Sequence, residues 1–300
     1  MQKLREFCLN LQIPALWQVP LSDYTSFRIG GPADALIFPD TEEELLRLLA
    51  YFGQENICFR VIGNASNVLV SDKGFRGALV STRHIRSLSV TGVTVRAACG
   101  VPINVLCRKM AEASLGGLES LYGIPGTVGG ALRMNASAFG SAVSDVLEFV
   151  TVFDLSKNKT EVLFKRDCDF SYRHSIFSEN KSLIILSAAF CAYAKPSEEI
   201  REGMRHALGI RMEKHPSALP SAGSVFLKHD GRSAGELIEG AGLKGKRIGG
   251  AAVSLKHAGF IVNLGGATAK DVLDLMEYIK ARVKEKYDVT LTAEIEYIEG

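Results

Sequence analysis

Three glycine-rich stretches mark where this chain could hold a phosphorylated ligand. Repeated Gly lets backbone N–H groups approach phosphate oxygens closely, and nearby Ser, Thr and Asn add donors. Gly240-Ala241-Gly242-Leu243-Lys244-Gly245 spells GxGxxG, and the run to Lys246 nearly spells a P-loop. A dinucleotide fingerprint needs a strand before it and a helix after it. Here a helical stretch, Ser233 to Glu239 with a Ser233/Glu236 capping box, comes first and a strand-like run follows. Arg247 stands where a P-loop carries its magnesium-binding hydroxyl. This stretch therefore reads as a helix end and a turn. Two other loops have better context. The strand-like Arg60-Val61-Ile62 leads into Gly63-Asn64-Ala65-Ser66-Asn67-Val68-Leu69, and Leu121-Tyr122 leads into Gly123-Ile124-Pro125-Gly126-Thr127-Val128-Gly129-Gly130-Ala131. Taken alone, each fits an ordinary turn better than a phosphate cradle, because turns use the same residues. His84 and His206 have no partners at metal-ligand spacing and no HExxH occurs, so no metal is expected.

The elements that must position these loops are legible in outline. Thr41 and Glu44 form a capping box ahead of Leu45, Leu46, Leu48, Leu49 and Phe52, predicting a helix that ends near Gly53. Pro102 opens a second helix that stops before Gly116-Gly117, and a third follows Pro196 to about Met212. Thr268 and Asp271 start a fourth, with Val272, Leu275, Met276, Ile279 and Val283 at helical spacing. Strand-like runs cover 35–38, 59–62, 78–81, 93–98, 149–154, 183–189, 259–263 and 289–297. Without a regular βαβ alternation, the mixture favours α+β. Lys195-Pro196 is the best break, giving expected domains of residues 1–195 and 196–300.

Bulk properties narrow the function classes. Apolar residues at 47% and charged residues at 23% describe a folded globular chain rather than a disordered one. The net charge is +2 and no basic block is visible, which argues against a nucleic-acid partner. Six cysteines without a CxxC pair read as reduced thiols of a cytoplasmic protein. Met1 to Ile13 lacks a continuous apolar core, so no signal peptide is expected. The most apolar run, Leu183 to Ala194, is shorter than the ~20 residues a membrane span needs. It reads as a buried strand. The oligomeric state is left open.

Motif order adds a resemblance. Thr25-Ser26-Phe27-Arg28-Ile29-Gly30-Gly31-Pro32-Ala33, the two loops, and Asn135-Ala136-Ser137-Ala138-Phe139-Gly140 follow one another. Ser171-Tyr172-Arg173-His174-Ser175-Ile176-Phe177, then Ser221-Ala222-Gly223-Ser224-Val225-Phe226, continue the set. Lys256–Asn263 and Leu291-Thr292-Ala293-Glu294-Ile295 complete it. Together they resemble the UDP-N-acetylenolpyruvoylglucosamine reductase family from about residue 25 onward. No room remains after Arg173 for an inserted tyrosine-bearing loop, so the shorter, second type is the one resembled. Three positions depart from the pattern: Ser137 stands where Gly is usual, Lys228-His229 replaces a residue followed by Pro, and His215 is uncommon at its place.

The resemblance implies an N-terminal FAD-binding module of the vanillyl-alcohol-oxidase/PCMH type and a smaller α+β substrate-binding domain. It implies NADPH-dependent reduction of a UDP-linked enolpyruvyl amino sugar through non-covalent FAD, in peptidoglycan precursor synthesis. Cofactor contacts carry over to Arg28, to Gly63, Asn64, Ala65, Ser66, Asn67 and Val68, and to Gly123, Ile124, Pro125, Gly126, Thr127, Gly130, Asn135 and Gly140. Catalytic roles carry over to Arg173, Ser224 and Glu294. Lys214, Lys228 and His257 are candidates for the diphosphate and substrate, with Arg211 nearby. By strand alternation alone Glu294 and Glu296 are equivalent, and only the motif separates them. Another flavin oxidoreductase on the same module, or a catalytically silent nucleotide-sugar binder, remains the alternative. The absence of His and Cys from both loops favours non-covalent flavin, and the presence of Arg173, Ser224 and Glu294 favours an enzyme.

Overall fold

The computed structural model describes residues 1–300, and the chain forms two compact units, each made of three runs. The first comprises 1–16, 35–64 and 77–211, and the second comprises 17–34, 65–76 and 212–300. The expected boundary at 195/196 falls inside the third run of the first unit, just ahead of the helix Ser197–Lys214.

In the first unit, Thr41 caps its helix as read, while the Glu44 carboxylate accepts from the Asp40 N–H rather than from that of Thr41. The Thr41 hydroxyl accepts from the Glu44 N–H at 3.1 Å, and Glu42–Glu55 buries Leu45, Leu48, Leu49 and Phe52. The helix does not stop at Gly53. It continues to Glu55 and ends where Asn56 turns left-handed at φ 50°. Five antiparallel strands form the main sheet, in the order Lys159–Phe164, Leu147–Asp154, Leu183–Cys191, Thr94–Ala98, Leu88–Thr91. The apolar run predicted as a buried strand lies at its centre. A parallel pair, Phe59 to Ile62 against Ala78 to Ser81, leads directly into the Gly63 loop. The mixture of parallel and antiparallel pairing is α+β, as expected.

The second unit owes its composition to its core. Phe27, Ile29 and Leu69 come from the two early runs and pack with Val225, Phe226, Leu237, Leu275, Ile279 and Val283. Burying each large apolar side chain stabilises by roughly 1.5–3 kcal/mol, which local linker signals cannot override. Polar contacts fix the same assembly. The Asn263 amide donates to the carbonyls of Phe27 at 3.2 Å and Arg28 at 3.3 Å. The Asp72 carboxylate accepts from the Ala269 and Lys270 N–H groups at 2.7 and 3.0 Å, capping the helix Ala269–Tyr287. All five stripe residues predicted for that helix are buried.

The GxGxxG stretch is the end of the helix Ala234–Gly240 followed by a turn into the strand Arg247–Ile248, so it is no phosphate loop. The predicted continuous strand 289–297 is broken. Ala293 bridges to Phe226, the chain bends at Ile295, and only Glu296–Ile298 is a strand, parallel to Val68–Val70. No helix is long and apolar enough to cross a membrane.

Candidate active site

In the first unit the two glycine loops meet. A Cβ at Gly63 would overlap the Thr127 hydroxyl, so only glycine fits there without displacing its neighbour. The Asn64 amide donates to the Pro125 carbonyl at 3.0 Å, and the Ser81 hydroxyl holds the Gly63 carbonyl at 3.1 Å. The second loop is pinned along its length. Gly123, at φ 96°, donates its N–H to Asn104 Oδ1 at 2.6 Å. Gly126 accepts from the Ile103 N–H at 3.0 Å, and Val128 and Gly129 donate to Val101 and Cys99. The sequence reading took Gly123–Ala131 as one loop, but its end is a short helix, Val128–Arg133. Thr127 caps this helix by accepting from the Gly130 N–H.

Beside this junction lies a cavity of about 140 Å³ lined by Asn64, Arg83, Arg86, Gly100, Pro102, Asn104 and Ile124 to Thr127. Its walls offer amides, a hydroxyl, glycine backbone and two guanidinium groups, and no carboxylate. That donor set fits the diphosphate of FAD. A second fit comes from Asn135. Its amide nitrogen donates to the Ser171 carbonyl at 2.8 Å, while its buried Oδ1 has no hydrogen-bond partner in the protein. A buried acceptor left over in this way suits a ligand donor. The lining holds no His or Cys, and burial pushes the adjacent Cys99 thiol up to about 12, so it stays protonated and unreactive.

Arg173 also belongs to this unit. It sits in a tight turn in which Ser171 and His174 exchange both backbone hydrogen bonds at 3.2 Å, and its φ is 54°. Its Nη1 donates to the Ser137 hydroxyl at 3.0 Å, and its guanidinium lies 5.6 Å from the Tyr172 ring. Arg211 is close enough that burial, and then the Arg173 charge, lower its pKa. Its own donors hold the carbonyls of Ser120 and Tyr122 at 3.1 and 3.2 Å, so it braces the approach to Gly123. Gly140, with Phe139, forms the left-handed pair at the tip of the Ser137–Ala138/Ser141–Ala142 hairpin.

In the second unit, Ser224 and Glu294 lie on adjoining segments. Residues 224–227 bridge on one side to Gly259 and Phe260 and on the other to Thr292 through Glu294. The Glu294 N–H donates to the Val225 carbonyl at 2.8 Å, and the Asn67 amide donates to the Glu294 carbonyl at 3.1 Å. Asn67 thus ties the end of its loop to the carboxylate residue. Ala65, at φ 49°, accepts from the Ser26 N–H at 3.2 Å. Arg28 is exposed between buried Phe27 and Ile29 and is also left-handed, at φ 53°. Four of the predicted site residues, Arg28, Ala65, Asn135 and Arg173, therefore hold a backbone conformation that L side chains disfavour.

Lys214 and Lys228 are exposed. His257 packs against Phe260 and His215 at 5.0 and 5.7 Å, and its Nδ1 accepts from the Gly259 N–H. Burial lowers its pKa, so the imidazole is neutral with its proton on Nε2. Sequence reasoning missed Arg83, Arg86 and Asn104. No motif marks them, and only their place after the strand ending at Ser81 and at the start of the helix Ile103–Glu112 brings them to the cavity.

Known proteins resemble this chain along nearly its whole length. A family described as UDP-N-acetylenolpyruvoylglucosamine reductase, C-terminal domain, matches residues 215–298, and an FAD binding domain matches residues 33–161. The UDP-N-acetylenolpyruvoylglucosamine reductase of Caldanaerobacter subterraneus subsp. tengcongensis is 46% identical over 279 residues, covering 93% of this chain and 92% of that protein. That of Clostridium novyi is 40% identical over 278 residues, covering 93% and 90%. The crystal structure of the reductase from Thermus caldophilus superposes with a TM-score of 0.80 at 36% identity, covering 95% of this chain and 98% of that one. With such identity along nearly the whole of both partners, the chain belongs to the UDP-N-acetylenolpyruvoylglucosamine reductase family.

Proposed function

We propose that the chain reduces the enolpyruvyl double bond of UDP-N-acetylglucosamine enolpyruvate with electrons from NADPH. The product is UDP-N-acetylmuramate, a peptidoglycan precursor, and the cytoplasm is the compartment that supplies both reactants. When bound, FAD supplies the relay that carries hydride from NADPH to C3 of the substrate. The negative charge then develops at C2 and spreads into the adjoining carboxylate. Arg173 forks onto that carboxylate and stabilises the enolate in a water-poor setting. Ser224 delivers the proton to C2, completing the addition of two hydrogens across the double bond. When protonated, Glu294 donates a hydrogen bond to the enolate oxygen or serves as a second acid. Lys214 and Lys228 neutralise the UDP diphosphate, and His257 offers its Nε2–H to the substrate.

The observation that carries this reading is the backbone hydrogen bond from the Glu294 N–H to the Val225 carbonyl, which supports a site built from the neighbouring Ser224 and Glu294 segments. Anaerobic titration tests it. NADPH should bleach the flavin absorbance, the enolpyruvyl sugar should restore it, and acid precipitation should release free FAD. A bleached flavin that the sugar fails to reoxidise would point to a silent binder or another oxidoreductase. Colour retained in the acid pellet would point to a covalent oxidase.

A further inference from the structure

We infer that Ser137 is a positioning residue that holds the Arg173 guanidinium for the substrate carboxylate. The inference rests on the reading of Arg173 given above. The Ser137 hydroxyl accepts from Arg173 Nη1 at 3.0 Å, and its carbonyl lies 3.4 Å from both terminal nitrogens. One residue thereby engages both ends of the fork. Ser137 is itself fixed. It pairs with Ala142 across the hairpin whose tip is the left-handed pair Phe139 and Gly140, and the Ala142 N–H is held by the Asp145 carboxylate at 2.8 Å. Arg211 stacks over the Phe139 ring at 5.1 Å, so the same hairpin carries both cations.

Arg173 needs such an anchor. Its backbone is set by the 171–174 turn, but its side chain is long and rotamer-rich, and the neighbouring Arg211 repels it. A hydroxyl and a carbonyl from one residue accept from both ends of the fork and so orient the guanidinium.

The test is a two-residue cycle in the holoenzyme, read by stopped-flow flavin absorbance in each half-reaction. Ser137→Ala should slow reoxidation by the enolpyruvyl sugar on the order of 10-fold and raise its KM. Flavin reduction by NADPH should keep its native rate. Ser137→Thr, which restores the hydroxyl, should recover reoxidation. In an Arg173→Lys background, Ser137→Ala should add nothing further. Native reoxidation in Ser137→Ala, or a loss that persists undiminished in the Arg173→Lys background, would overturn the inference while sparing the role of Arg173. A native rate for Arg173→Lys alone would overturn the reading beneath it.

Discussion

Glu294 and Glu296 carry the same group two residues apart, and strand alternation places them on one face. Their surroundings in the fold separate them. Glu294 is tied at both its N–H and its C=O, by Val225 and by the Asn67 amide, while Glu296 pairs with Val68 in a strand beyond the bend at Ile295. Glu294→Gln should therefore lower turnover by at least ~10²-fold, the usual worth of a positioned proton donor, and Glu296→Gln should stay within a few-fold. Equal losses in steady-state assays of the two variants would contradict the assignment. At this scale the sequence supplied candidate residues and hid their conformations. Nothing in the types of Arg28, Ala65 and Arg173 announces a left-handed backbone, and Arg28 takes it between the buried Phe27 and Ile29. The cationic cavity residues Arg83 and Arg86 were equally hidden, since isolated arginines carry no spacing signal.

Elements were legible where local and tertiary forces agree. The caps at Thr41 and Thr268 start their helices as read, because each hydroxyl satisfies an N–H that has no partner inside the helix. The short helix after Thr127 was missed because Gly129 and Gly130 dilute its periodicity, while contacts to Val101 and Cys99 hold it. The C-terminal strand was overread because pairing of Phe226 with Ala293 and the bend at Ile295 override its alternation. The junction of the two glycine loops gives this scale its own prediction. In Gly63→Ala the new methyl must displace Thr127, which is only 2% exposed, at a cost of about 1–3 kcal/mol. Flavin content per protein and the Tm should both fall. Thr127→Ala should lower the Tm less in the Gly63→Ala chain than in the native one, because there the lost helix cap is offset by the removed overlap. A Gly63→Ala protein with native flavin content would show that this junction does not shape the cofactor site.

At the scale of the whole molecule, the chain threads each unit from three runs, and this was the least legible feature. Lys195-Pro196 marks a local break, but domain membership follows burial, and the apolar cluster gathers Phe27 and Leu69 with residues more than half the chain away. Asn64 and most of the predicted flavin contacts, from Gly123 to Gly140, belong to the first unit, whereas Ser224 belongs to the second. Removing the Ser224 hydroxyl takes away one small polar group and adds no bulk, and it leaves the Gly63–Thr127 junction untouched. The central claim is that Ser224 acts after hydride transfer, and Ser224→Ala followed by stopped-flow flavin absorbance tests it most directly. Reduction by NADPH should proceed at nearly the native rate, and reoxidation by the enolpyruvyl sugar should fall by ~10²–10⁴-fold. Slow reduction with normal reoxidation, or two normal halves, would contradict it.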